Sequence, residues 1–150
     1  YVAGKRESRR LLGDIILDQL DIDGRKDYPD ACVTTTWGID LHHPAPRNAK
    51  NFDEPFWAAN RHPHHEPYAI PYRCLYSRNV DNMFMAGRDI SVTHVALGTV
   101  RVMRTCGMMG EVAGMAASLC AEEGLTPRGA YRGRLDELKK LMKEGAGRKG

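Results

Sequence analysis

Apolar and polar positions divide the chain into a few readable stretches. The clearest runs from Asn82 to Cys120. Met83 to Ala86 is an apolar run of strand length, broken by Gly87 and followed by the polar residues Arg88, Asp89 and Ser91. Beyond Gly98-Thr99, apolar residues recur at spacings of three and four: Val102, Met103, Cys106, Met109, Val112, Ala113, Ala116, Ala117 and Cys120. That period predicts a long helix. Ala31 to Ile39 is rich in β-branched residues and predicts a strand. Tyr68 to Tyr76 alternates but contains Pro71, which predicts an edge strand or extended segment. Leu11 to Leu20 fits a helix, strand or turn equally, because Gly13 interrupts it. Asp18 to Asp30 and Glu122 to Gly133 read as loops, and Arg134 to Lys143 as a short amphipathic helix.

Three glycines, Gly107, Gly110 and Gly114, lie inside the predicted long helix. Each costs about 1 kcal/mol there relative to Ala. Close approach of another backbone or a bulky ligand is the usual reason for such a cost. The start of this helix leaves backbone N–H groups without intrahelical partners and carries partial positive charge. It suits a phosphate or another electron-rich acceptor.

Composition narrows the class. A chain of 150 residues is one domain's worth and can bury a core. A net charge of +3, with both signs abundant, argues against disorder and against a dedicated nucleic-acid surface. No apolar run approaches the ~20 residues that span a bilayer. Cys32, Cys74, Cys106 and Cys120 are widely spaced and read as reduced, mostly buried thiols. No G-x-G-x-x-G follows a predicted strand, so the usual cradle for an ADP group is not found in these residues.

The segment AGRDISVTHVALGTVRVMRTCGMMGEVAGMAA closely resembles the C-terminal flavin-contacting segment of the FAD-dependent oxidoreductase family. IPYRCLYSRNVDN, RESRRLLGDIILDQLDI and YPDACVTTTWGIDLHHP fit the same family in the same order, so the resemblance covers most of residues 5–121. It implies an α/β fold, α+β as a fragment: the last strand and flavin-facing helix of a Rossmann-like FAD domain, with part of a β-rich substrate-side region. The expected division is 1–80 for the substrate side, 81–121 for the strand-loop-helix of the FAD domain, and 122–150 for a loop, short helix and tail. The implied cofactor is FAD and the implied chemistry is hydride transfer on a small-molecule substrate. The start, YVAGKRESRR, lacks Met and any signal-like order, and reads as the interior of a longer chain. An upstream half carrying the ADP-binding unit is the expected partner, and a homo-oligomer is left open.

The resemblance also implies roles. Gly87 would let the backbone approach the ribityl chain, and Arg88 would reach the ribityl hydroxyls or the pyrophosphate. Asp89, Ser91 and Thr93 would continue the cofactor-binding loop. Thr93 and His94 would face the isoalloxazine, and Arg101, Val102 and Met103 would open the helix near flavin N1 and O2. His94, His42, Tyr72, Arg6 and Arg9 are the candidates for substrate binding and proton transfer. Tyr72 either lines the pocket or packs in the core with its hydroxyl bonded. Arg6 and Arg9 could hold a carboxylate by a guanidinium fork.

A second reading comes from the stretch between Pro44 and Pro67, which has five prolines and no regular period. His42, His43, His62, His64 and His65 lie in or beside it. They permit a stand-alone metal-binding or interaction module, although no tight zinc-ligand spacing is present and no metal is expected; an inactive fragment of the fold is the remaining alternative.

Overall fold

The computed structural model describes residues 9–41, 43–44, 58–59 and 66–145. Among the described residues the fold is mixed α/β, with five helices around small antiparallel sheets. The helices are α1 (Gln19–Asp23), α2 (His94–Val100), α3 (Met103–Glu123), α4 (Pro127–Gly133) and α5 (Leu135–Glu144). β1 (Ala31–Thr35) pairs antiparallel with β4 (Tyr68–Pro71) in the register Val33 to Ile70 and Thr35 to Tyr68. β2 (His43–Pro44) pairs with β3 (Ala58–Ala59). A 3₁₀ turn, Tyr72–Cys74, follows β4.

The ambiguous Leu11–Leu20 stretch is neither a helix nor a regular strand up to Asp18, and its last two residues open α1. It threads between two other segments and bonds to both. Leu11 and Leu17 donate to the carbonyls of Asp89 and Ser91 (3.0 and 3.1 Å), and Asp14 donates to that of Arg73 (3.1 Å). Leu17 and Val92 form a parallel bridge. The threading leaves Leu12 and Ile16 exposed, while Leu17 is fully buried.

Three expectations are corrected. Asp18 to Asp30 is not all loop: Asp18 and Asp21 form a reciprocal capping box that starts α1. Glu122 to Gly133 is not all loop either. Gly124 takes φ +66 to end α3; then Thr126 caps α4, with Pro127 in its first turn. Met83 to Ala86 is not a regular strand in the described residues. It meets the chain at 75–77 through one antiparallel bridge, Tyr76 to Phe84, with Ser77 donating to Met83 and Met85 to Leu75.

The long helix is present as α3. Its buried face is Thr105, Met109, Val112, Ala116, Leu119 and Cys120, packed on β1, α4 and α5. That face is rotated from the predicted one, which included Met103 and Ala117; Met103 is 92% exposed. α5 stands where its amphipathic pattern predicts, with Leu138 buried. Tyr72, Tyr76, Ile70, Leu75, Met85 and Ile90 fill the centre of the core. No helix among the described residues is long and apolar enough to cross a membrane.

The three α3 glycines are exposed, and a Cβ built at Gly107, Gly110 or Gly114 meets nothing within 4 Å. Within the described residues no backbone approaches them. Gly110→Ala is therefore expected to raise the stability of this chain by about 0.5–1 kcal/mol, the helix-propensity difference. Urea unfolding measures it; a loss of stability would mean that something not described here packs on this face.

Candidate functional site

The site is built at the junction of α2 and α3. Thr93 caps α2, its hydroxyl accepting from the Ala96 N–H at 3.4 Å. α2 can lie close to the chain leaving β1 because residue 98 is glycine. A Cβ there would sit 3.0 Å from the Asp40 carbonyl oxygen. Arg101 ends α2: its N–H donates to Leu97, and its guanidinium donates to the Asp40 carbonyl at 2.9 Å and lies 3.4 Å from the Asp40 carboxylate. These contacts fix Asp40, two residues before His42 in the sequence, beside the start of α3.

α3 then starts without the usual help. Its N-cap is Val102, extended at φ −77 and ψ 148, and among the described residues no side chain accepts from the first-turn N–H groups. Ser, Thr, Asp or Asn at that position would add about 1 kcal/mol. The first turn also contains no acidic residue. Thr105 ties it to the sheet, donating its hydroxyl hydrogen to the Thr35 hydroxyl at 3.2 Å. A cleft of about 490 Å³ opens at this end, walled by Thr34–Trp37 on one side and Val102–Thr105 on the other. Two large apolar side chains, Trp37 (45% exposed) and Met103, line it. Exposed apolar surface in a concave site is a feature of small-molecule binding sites.

The expected site residues divide into groups. Val102 and Met103 line the cleft, one residue pair further along than the helix start expected at Arg101. Gly87, at φ +92, is the turn residue its left-handed backbone requires, and a Cβ on it would lie 3.8 Å from the Cys106 sulfur. The Gly87–Asp89 turn thus flanks the first turns of α3, with Arg88 and Asp89 exposed. Burial pushes the Cys106 thiol up, so it is a neutral neighbour of this turn.

Other candidates lie apart. His94 is exposed at the start of α2, one helix length from α3, roughly 10 Å at 1.5 Å per residue. Thr93 spends its hydroxyl oxygen on the α2 cap. Ser91 is fully buried, its backbone bonded to Cys74 and Leu17. Tyr72 takes the packed alternative: it is fully buried, donates its hydroxyl hydrogen to the Pro127 carbonyl at 3.0 Å, and is held protonated by desolvation. Arg9 is exposed. Arg6, His42, His62, His64 and His65 lie outside the described residues. Among the described residues no group of three His, Cys, Asp or Glu is arranged to hold a metal ion. All four cysteines are free thiols.

Sequence reasoning missed two parts of the cleft. It read Thr34–Trp37 only as strand, although three hydroxyls and an indole in succession at a strand end could have signalled a polar wall. It also passed over Arg104 and Thr105, which alternate outward and inward on the first turn of α3.

A family model described as FAD dependent oxidoreductase matches residues 1–142. The chain belongs to the FAD-dependent oxidoreductase family. The family implies FAD as the cofactor of this flavoprotein. No curated protein and no solved structure matches the chain. The residues present fit part of such a cofactor. An uncapped helix start, free of acidic side chains and opening on an apolar-mouthed cleft, suits the electron-rich edge of a flavin ring.

Proposed function

We propose that the chain is the C-terminal portion of a flavin-dependent oxidoreductase and that the flavin ring of FAD occupies the cleft between Thr34–Trp37 and the first turn of α3. The observation that carries this reading is the start of α3: its first-turn N–H groups have no side-chain acceptor among the described residues and open on the cleft. When bound, the flavin supplies hydride transfer. The chain's own residues hold and orient. The first-turn N–H groups of Met103 to Thr105 favour negative charge at the ring edge. Arg101 and Asp40 set the direction of α3 through the contacts that end α2. Trp37 and Met103 exclude water from the mouth of the cleft. The proton donor is assigned to His42, which the family resemblance favours, since His94 stands a helix length from the start of α3.

The ADP half is assigned to residues beyond these 150, because no glycine fingerprint occurs here. The Gly107, Gly110 and Gly114 face of α3 is where that remaining part of a Rossmann-like FAD domain packs. This accounts for three helix glycines with open space above them.

Val102→Asp tests the placement. A carboxylate at the N-cap stabilises α3 by about 0.5–2 kcal/mol. It also puts negative charge where the flavin edge is proposed to lie. In the complete flavoprotein, the substitution is expected to weaken FAD binding at least about 10-fold while raising resistance to urea. Unchanged FAD affinity in a stabilised variant would move the flavin away from this turn. The 150-residue chain alone is expected to bind FAD weakly; a sub-micromolar constant by calorimetry would overturn the assignment of the ADP half.

A further inference from the structure

Four described arginines end on carboxylates: Arg73 on Asp30, Arg101 on Asp40, Arg128 on Asp14 and Arg134 on Glu123. Arg104 does not. It is exposed, lines the cleft, and forms no ion pair among the described residues. Its position is also electrostatically unfavourable, because a cation in the first turn of a helix opposes the dipole. No Asp or Glu among the described residues lines the cleft to compensate it. The opposite wall carries Trp37, whose indole is half exposed, and the hydroxyls of Thr34 and Thr36, both exposed. The cleft therefore combines an aromatic surface, hydroxyl groups and one uncompensated guanidinium.

We propose that Arg104 is a specificity-determining residue that selects substrates bearing a carboxylate on a flat, largely apolar body. The guanidinium takes the carboxylate in a two-bond fork, and the body lies against Trp37. A neutral analogue of the same shape loses the fork and leaves the guanidinium uncompensated. This inference rests on the cleft being the reaction chamber of the flavoprotein, and it requires the carboxylate and the flavin to share the cleft.

Sodium benzoate and benzamide are suitable probes, since they match in shape and differ in charge. Titrations of the protein at one ionic strength, followed by calorimetry and by tryptophan fluorescence, are expected to show benzoate binding about 10-fold more tightly, the preference of one charged fork over a neutral contact. Arg104→Met brings benzoate down to the benzamide level. Arg104→Lys, a point charge without the fork, retains part of the preference. Arg132→Met removes one exposed charge from α4 and leaves the preference intact, which separates a local contact from net charge. Equal affinity of the two probes, or a preference that survives Arg104→Met, overturns the proposal. In the complete flavoprotein with FAD bound, benzoate is expected to add to the complex and change the flavin absorbance saturably. Strict competition with FAD would assign Arg104 to the cofactor and also overturn the proposal. Failure of the complete protein to take up FAD removes the flavin reading while the benzoate comparison still stands, so the two failures are distinct.

Discussion

Asp30→Ala is expected to destabilise the protein by about 3 kcal/mol, the lower end of the range for breaking a buried ion pair. Asp30 is fully buried. One carboxylate oxygen accepts from both the backbone N–H and the Nε of Arg73, at 2.9 and 2.8 Å. The other accepts from Nη2 at 2.8 Å. The same residue's backbone carbonyl accepts from Tyr72 at 2.8 Å. Asp30 thus joins the start of β1 to the 3₁₀ turn after β4 and closes that end of the sheet. Removing the carboxylate strands a backbone N–H and a guanidinium that also lies 5.0 Å from the Tyr131 ring centre. The Arg73 side chain keeps about 20% exposure, so water relieves part of the cost. This is why the lower end applies. Asp30→Asn keeps the shape and one acceptor, and should fall between the two. Thermal unfolding reads the difference as a drop of roughly 6–12 °C for the Ala variant. A drop under about 2 °C would show that this ion pair contributes almost nothing net.

This network was not legible in the sequence, and the reason is general. Asp30 and Arg73 are 43 residues apart, and each sits beside turn residues that suggest only exposure. Periodicity reports which face of an element is apolar, but not which polar group will be carried into the core by a partner. Asp14 behaves the same way. It accepts from Tyr76 at 2.7 Å and from Arg128 at 2.6 Å, and the Arg128 guanidinium holds its carboxyl below the usual carboxylate range. Both pairs depend on contacts between segments that have no common repeat.

What was legible followed from local rules. α3, α5, β1 and β4 stand close to where period and β-branched content put them, because each buries one continuous face. α1, α2 and α4 were missed since each is under eight residues long, too short for a period to register. Their caps, Asp18 with Asp21, Thr93, and Thr126 with Pro127, were the available signals. The burial of α3 was misphased because Met103 and Ala117 look like core residues but face outward, while Thr105 and Leu119 face in. For the site, the α3 start was anticipated to within two residues. Its opposite wall was not, because the threonines were read only as β-formers and the hydroxyls and indole that end the strand went unweighed.

Gly13 gives the sharpest contrast with the α3 glycines. Gly13→Ala is expected to cost at the upper end of the ~1–3 kcal/mol seen for overpacking, where Gly110→Ala should stabilise. A Cβ on Gly13 would lie 2.4 Å from the Arg73 carbonyl oxygen, 3.0 Å from the Ser91 Cβ and 3.1 Å from the Tyr76 carbonyl oxygen. Two of the three are backbone atoms, which cannot swing away as a side chain can. The first of them is also a committed group. The Arg73 carbonyl accepts from Asp14, the residue next to Gly13, and the neighbouring Cys74 carbonyl accepts from Ser91. Making room for one methyl group therefore means spreading the 11–17 segment away from both 73–78 and 89–93, and weakening the hydrogen bonds that join them. Those bonds hold the Gly87–Asp89 turn beside α3, so the effect should extend to the candidate site. Gly13→Ala is expected to lower the urea midpoint and to speed hydrogen exchange at Leu11, Leu17 and Ser91 together. Unchanged exchange at these three amides would mean that the segment accommodates the methyl group without opening, and that the close packing at Gly13 does not hold the turn in place.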